Sequence, residues 1–321
     1  MGSEARVYDS ILQALPGVEN PTPLVRINRL NRLPGYTLYA KLEWMNPFGS
    51  VKDRAAAFLL RDLVERGVLT AERGVVEPTS GNTGISMAAM AAVLGLRMRA
   101  VVPRSIPQEK KVLLRIAGAD LDVVNDALCP SPGMGDGAIN LARTRARAEG
   151  DRYAMPNQYE NELNARAHFA TTGPEIWHQT KGRLTHLFVS LGTCGTATGC
   201  GKFLKGKNPA IKLVAVQPSP GHDVPGIRNL AELQVAKLFD RSLLHEILEV
   251  DYQLAYTRAL DLARQEGLLA GPSSGLILEG ALRVIEREQT GTGVMIFPDS
   301  VFKYLSTMVR HLPELALDAA P

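Results

Sequence analysis

Short apolar runs that read as strands alternate with helix-period segments along nearly the whole chain, and this alternation limits the fold more than any other feature. Residues 37–42 read as a strand. Residues 55–65 read as a helix, with Leu59, Leu60, Leu63 and Val64 at helical spacing. Residues 74–77, 97–102 and 120–124 follow as strands, separated by helices over 85–94 and 108–117. The pattern restarts with strands at 184–190, 212–217 and 293–297 and helices at 196–205, 252–266 and 274–287. Such alternation builds parallel sheets with crossover helices, the α/β class. Two α/β blocks with a cleft between them is the economical arrangement, with boundaries near residues 45 and 157. Two Pro/Gly-rich stretches, 129–137 and 218–226, read as surface loops, and loops of this kind often rim a site.

With 321 residues, 45% of them hydrophobic, the chain can bury a large core and more than one domain is expected. The net charge of +3 is mild and no long cationic run occurs, which argues against nucleic-acid binding. No apolar stretch approaches the roughly 18 residues that span a membrane. The opening Met-Gly-Ser-Glu lacks a charged-then-apolar signal pattern, so a cytoplasmic setting is expected. Cys129, Cys194 and Cys200 are too few and too irregular for a disulfide framework or a zinc site. The six histidines show no H-x-x-x-H spacing, so no metal site is expected. Trp44 and Trp177 read as core residues.

Four local segments carry chemistry. Lys52, in Asn46-Pro-Phe-Gly-Ser-Val-Lys52-Asp-Arg54, follows a turn at the mouth of a helix. A lysine there is most often a plain surface residue. It becomes carbonyl-reactive when partial burial leaves some of it as neutral amine. The run 191–199, Leu-Gly-Thr-Cys-Gly-Thr-Ala-Thr-Gly, follows a strand and opens a helix, which makes a ready phosphate cradle or simply a tight turn. It is neither a Walker loop nor G-x-G-x-x-G. Thr79-Ser80-Gly81-Asn82-Thr83 gathers four donor side chains around one glycine, suited to a carboxylate or to N-capping. Gly271-Pro-Ser-Ser-Gly275 is a further turn before a helix.

Taken in chain order, from about Pro21 to about Ser306, the four segments resemble the fold type II β-family of pyridoxal 5′-phosphate (PLP) enzymes. They are most similar to the cysteine synthase and cystathionine β-synthase group. The resemblance implies two open twisted sheets with flanking helices. Residues 1–44 plus 158–321 would form the larger domain, on the phosphate and pyridine side. Residues 45–157 would form a smaller, mobile domain carrying the substrate-carboxylate loop. It implies Lys52 as the catalytic lysine that holds PLP. Asn82 would meet the cofactor's ring oxygen, and Gly192, Thr193, Cys194, Gly195 and Thr196 its phosphate. Ser273 would face the pyridine nitrogen. Thr79, Ser80, Asn82, Thr83 and Gln158 would bind the substrate carboxylate.

The implied reaction is β-replacement on an O-activated L-serine, through an α-aminoacrylate, with sulfide as nucleophile and L-cysteine as product. Alternatives within the family are cystathionine β-synthase, cysteine desulfhydrase and diaminopropionate synthase, and a further one is a non-catalytic regulatory protein of the same fold. A homodimer acting on a small amino acid and a sulfur nucleophile is expected. Pro225-Gly-Ile-Arg-Asn229 resembles the B-type cysteine synthases, and Arg228 there would face an anionic substrate group, unless it is an exposed loop residue. With the sequence ending soon after Leu315, the C-terminal regulatory domains of many cystathionine β-synthases are not expected. Ser300-Val-Phe-Lys303 departs from the family's usual Ser-Gly-Glu-Arg-like turn, and Cys194 replaces a frequent glycine or threonine.

Overall fold

The computed structural model describes residues 6–125, 137–231 and 236–316. The expected loop at 129–137 therefore falls almost wholly outside the described residues. Along the chain come β1 (Leu24–Arg26), β2 (Tyr36–Leu42), α1 (Lys52–Glu65), β3 (Gly74–Pro78), α2 (Asn82–Val93), β4 (Met98–Pro103), α3 (Gln108–Ile116) and β5 (Asp120–Val124). Then follow α4 (Gly137–Ala148), β6 (Tyr153–Ala154), α5 (Leu163–Ala170), α6 (Thr172–Gln179), β7 (His186–Ser190), α7 (Gly195–Lys207) and β8 (Lys212–Pro218). The last are β9 (Glu246–Val250), α8 (Tyr252–Asp261), α9 (Pro272–Glu288), β10 (Gly291–Phe297) and α10 (Leu305–His311).

The strands form two sheets, ordered β1-β2-β10-β7-β8-β9 and β5-β4-β3-β6. Every described pairing is parallel except β1 with β2. Parallel strands need helices on their faces, and their buried sequences are correspondingly continuous. Val75, Val76, Ala100, Val101, Leu187, Phe188, Val214 and Val216 are all at most about 1% exposed. Trp44 and Trp177 pack, partly buried, against separate hydrophobic clusters of the larger sheet.

Several boundaries differ from the sequence reading. α1 starts at Lys52 and α2 at Asn82, each three residues earlier than the hydrophobic period indicates. Polar residues at helix starts carry no periodic signal, yet Asp53 anchors the α1 start by accepting from Phe48 N at 2.6 Å and Ser86 Oγ at 2.6 Å. α9 starts at Pro272, where the missing N–H costs nothing and the ring presets φ. The segment expected as one helix to Glu266 is α-helical to Asp261. It closes as a π-turn over Leu262–Glu266, ended by Gly267 at φ +71°.

Candidate active site

Four helix N-termini converge on one cavity. Lys52 is the first residue of α1 and Asn82 the first of α2, while Thr196 and Ser273 are the second residues of α7 and α9. All four line the same space, together with Gly192, Thr193 and Cys194. Exposed amide N–H groups and aligned helix dipoles make such a place strongly receptive to anions. An adjoining cavity shares Lys52, Asn82, Gly192 and Thr193 and adds Thr79, Ser80, Thr83, Gln158 and Arg228. The lysine thus lies where a phosphate-receptive wall meets a carboxylate-receptive one.

The Lys52 amine donates to Thr193 Oγ1 at 3.3 Å. Burial pushes its ammonium down to about 8, against an opposing pull from the Cys194 and Asp299 side chains. Roughly a tenth of it is then neutral amine at pH 7, far more than for an exposed lysine.

The phosphate-side wall is built tightly. Cys194 takes the left-handed conformation at φ +65°, unusual for a residue with a Cβ, and turns the chain from β7 into α7. Burial pushes its thiol up to about 12, so the position serves through its backbone rather than as a thiolate. Gly192 is required by close approach, because a Cβ there would stand 2.8 Å from the Gly226 carbonyl. Gly195, between the lining residues Cys194 and Thr196, lies against the Asn164 side chain, which leaves no space for a Cβ and lets the position offer only its backbone.

Asn164 and His168 were not found from sequence. Asn164 Nδ2 donates to Thr193 Oγ1 at 2.8 Å and to the Gln158 carbonyl at 2.7 Å, tying the two walls together. Its Oδ1 is buried without a protein partner. His168 is fully buried between Thr172 Oγ1 at 2.9 Å and Thr196 Oγ1 at 3.2 Å. Burial, with the Arg54 and Lys52 charges, holds its imidazolium down to about 3, so it is a neutral brace.

On the carboxylate-side wall, Thr79 Oγ1 accepts from Gly81 N at 3.0 Å and Gly84 N at 3.1 Å. Thr83 Oγ1 donates to Gln158 Oε1 at 2.5 Å, and Gln158 Nε2 donates to the Pro78 carbonyl at 2.9 Å. Behind them Glu77, unremarked in the sequence reading although it directly precedes the loop, accepts from Asn157 N at 2.8 Å and Gln158 N at 2.9 Å. Arg228 is a wall residue rather than an exposed loop residue. It is 7% exposed, lies 5.6 Å from the Tyr159 ring centre, and its N–H donates to the Leu191 carbonyl at 2.7 Å. The loop expected to rim the site does so through Pro225 and Gly226.

A cofactor with a phosphate, an aldehyde and an aromatic ring fits this donor set. The α7 start supplies anion-binding N–H groups, the partly neutral Lys52 amine supplies the nucleophile, and Asn82 and Ser273 supply polar side chains in the same cavity. A family comparison agrees: residues 15–299 match the model for pyridoxal-phosphate dependent enzymes, and the chain belongs to that family. It is a PLP-dependent enzyme of fold type II, and within that class it is similar to the B-type cysteine synthases. Cysteine synthase B of Escherichia coli (strain K12) is 39% identical over 289 residues, covering 90% of this chain and 93% of that one. A crystal structure of O-ureido-L-serine synthase superposes with a TM-score of 0.86 at 31% identity, covering 98% and 99% of the two chains. The O-acetylserine dependent cystathionine β-synthase of Helicobacter pylori gives 0.83 at 30% identity, covering 94% and 98%. Among the described residues no helix is long and apolar enough to cross a membrane.

Proposed function

We propose that this enzyme makes L-cysteine by β-replacement, exchanging the O-linked group of an O-activated L-serine, such as O-acetylserine or O-phosphoserine, for sulfide. The observation that carries the reading is the placement of the Lys52 amine at the junction of an anion-receptive helix start and the 79–83 loop. Similarity to the cysteine synthases supports the same reading.

In this reading Gly192, Thr193, Cys194, Gly195 and Thr196 hold the cofactor phosphate, Asn82 its ring oxygen and Ser273 its ring nitrogen. When bound, PLP supplies an electron sink at the substrate Cα. Lys52 would hold the cofactor aldehyde, and its amine, when free, would remove the substrate Cα proton as general base. Thr79, Ser80, Asn82, Thr83 and Gln158 grip the substrate carboxylate and fix the Cα–H bond for cleavage. Arg228, on the same wall, meets an anionic group of the substrate or nucleophile. Residues 45–157, which contain the whole four-stranded sheet, form the smaller unit and close over the substrate against 1–44 with 158–321. A cytoplasmic homodimer completes the proposal, and sedimentation checks the assembly.

A second reading keeps the first half of the reaction and changes the nucleophile, as the name of the Helicobacter pylori neighbour indicates for that protein. Product analysis with O-acetylserine, O-phosphoserine and serine, each with and without sulfide, separates the two. Sulfide-dependent cysteine from a serine ester is expected, and its absence with every ester overturns the first reading. Lys52→Ala is expected to lower turnover by more than about a hundredfold.

A further inference from the structure

The Val301–Lys303 turn is the departure from the family pattern that the proposed chemistry leaves unused. In the structure its lysine is 6% exposed and reaches back toward the site. Lys303 Nζ donates to the Gly49 carbonyl at 2.8 Å, to the Phe48 carbonyl at 3.3 Å and to Asn82 Oδ1 at 3.3 Å. The other end of the same amide, Asn82 Nδ2, donates to Asp299 Oδ2 at 2.6 Å. Tyr304 OH donates to that same oxygen at 2.5 Å and in turn accepts from Lys110 Nζ at 2.8 Å. Lys110 is 1% exposed, lies 4.1 Å from the Tyr304 ring centre, and occupies the space a Cβ on Gly81 would need. Glu109 Oε1 accepts from Ser306 N at 2.6 Å and its Oε2 from Ser306 Oγ at 2.9 Å, fastening the same segments together.

The chemistry of the two ends is decisive. An ammonium can only donate and a carboxylate can only accept. A cation on one side of the Asn82 amide and an anion on the other therefore permit one orientation, with oxygen toward Lys303 and nitrogen toward Asp299. Rotating the amide by half a turn would set N–H against ammonium and C=O against carboxylate. Charge-assisted bonds of this kind are about twice as strong as neutral ones.

We propose that Lys303 and Asp299 are positioning residues that lock the Asn82 amide in a single orientation, with Tyr304 and Lys110 bracing Asp299. The inference rests on the reading of Asn82 as the partner of the cofactor ring oxygen, for which the donor end of the amide must stay fixed. Asn82 and Lys110 stand on α2 and α3, next to the four-stranded sheet, whereas Asp299, Lys303 and Tyr304 follow β10 of the other sheet. The lock thus joins the two sheets' elements at the cavity.

The test uses the visible absorption of bound PLP, read across pH, alongside steady-state kinetics. Asn82→Ala should displace the band or its titration, because a hydrogen bond at the ring oxygen is lost. Lys303→Met should displace it in the same direction and lower kcat roughly tenfold with KM nearly unchanged, while Lys303→Arg restores both. Lys303 also holds the Phe48 and Gly49 carbonyls, so Lys303→Met is repeated in the Asn82→Ala background, where it should add nothing to the band shift. Tyr304→Phe, which keeps the ring but removes the brace, should reproduce part of the shift, and it decides the matter if Lys303→Met does not fold. A band unmoved by Asn82→Ala overturns the underlying reading of Asn82. A band moved by Asn82→Ala but not by Lys303→Met or Tyr304→Phe, or a Lys303→Met shift that persists without Asn82, overturns the lock alone.

Discussion

Two buried carboxylate supports stand behind the site, and they differ in what surrounds them. Beneath α1, Glu43 and Glu175 are fully buried with Arg54 and Lys41. Arg54 bonds Glu43 at 2.7 and 2.9 Å and Glu175 at 2.5 and 2.9 Å, and Lys41 bonds Glu175 at 2.7 Å. Behind the wall that carries Thr79 and Gln158, Glu77 is equally buried but meets two backbone N–H groups and, among the described residues, no cation within ion-pair distance. Burial pushes Glu43 up, yet Arg54 and Lys41 together pull harder and its carboxyl settles at about 2. Burial dominates at Glu77, where the two N–H donors fall short, and its carboxyl rises to about 8. Residue type and depth are the same; the neighbouring cations decide whether the group is a fixed charge or a titratable one.

The largest expected effect breaks the first support. Arg54 lies two residues from Lys52, and its removal leaves two carboxylates buried with one cation between them. Arg54→Met should destabilise the fold by about 3–5 kcal/mol, read from denaturant unfolding at neutral pH. A loss below about 1 kcal/mol would mean that the cluster is a dispensable ornament of the α1 mount. The support should also be insensitive to pH in the working range. A depressed carboxyl contributes its stability above its ordinary value near 4.5 and loses it only as pH falls toward 2.

The same contrast explains what could be seen in the sequence. The four candidate segments are local strings: Lys52 with its turn, the 79–83 loop, the 191–199 turn and the Ser273 turn each lie within a few consecutive residues at a helix start. Their supports are not local. Asn164 reaches Thr193, Glu77 reaches Gln158 and Lys110 reaches Tyr304 only after the chain has folded, and no spacing rule links such pairs. Long apolar strands such as β7 and β8 were legible, whereas β9, Glu-Ile-Leu-Glu-Val, breaks its apolar run with glutamates and β6 has two residues. α5 and α6 were hidden by Thr171-Thr172-Gly173-Pro174, which reads as a breaker. In the structure Pro174 fits the first turn of α6, and Gly173 is needed where Phe203 packs, a Cβ there lying 3.0 Å from its side chain.

The second support gives a somewhat smaller effect with a pH signature. A carboxyl raised from 4.5 to about 8 favours folding fully below its ordinary value and loses that contribution as pH rises toward 8. Glu77→Gln removes this titration, since the amide resembles the neutral acid in shape and in offering one good acceptor. Relative to the parent, the variant should gain about 3 kcal/mol of stability between pH 5.5 and 8.5, measured by unfolding at both values. A difference that does not change with pH would show that Glu77 stays charged throughout, and the two supports would then be alike. Because Glu77 holds the Gln158 backbone, the parent's KM for the amino acid should vary over the same pH interval more than that of Glu77→Gln.

The smallest effect supplies the reference point for both. Arg66 pairs with Asp62 at 3.0 Å one helical turn away, but the arginine side chain is 64% exposed and the aspartate 31%. Water already solvates both charges there, so the pair gains little beyond what its side-chain entropy costs. Arg66→Ala should change stability by no more than about 0.5 kcal/mol, and raising the salt concentration should erase even that. The bond length resembles those around Arg54, so the comparison isolates burial from geometry. If Arg66→Ala costs as much as Arg54→Met, ion pairing itself would set the scale. If it costs almost nothing, the weight of the Arg54 cluster comes from the carboxylates that its removal would strand out of water.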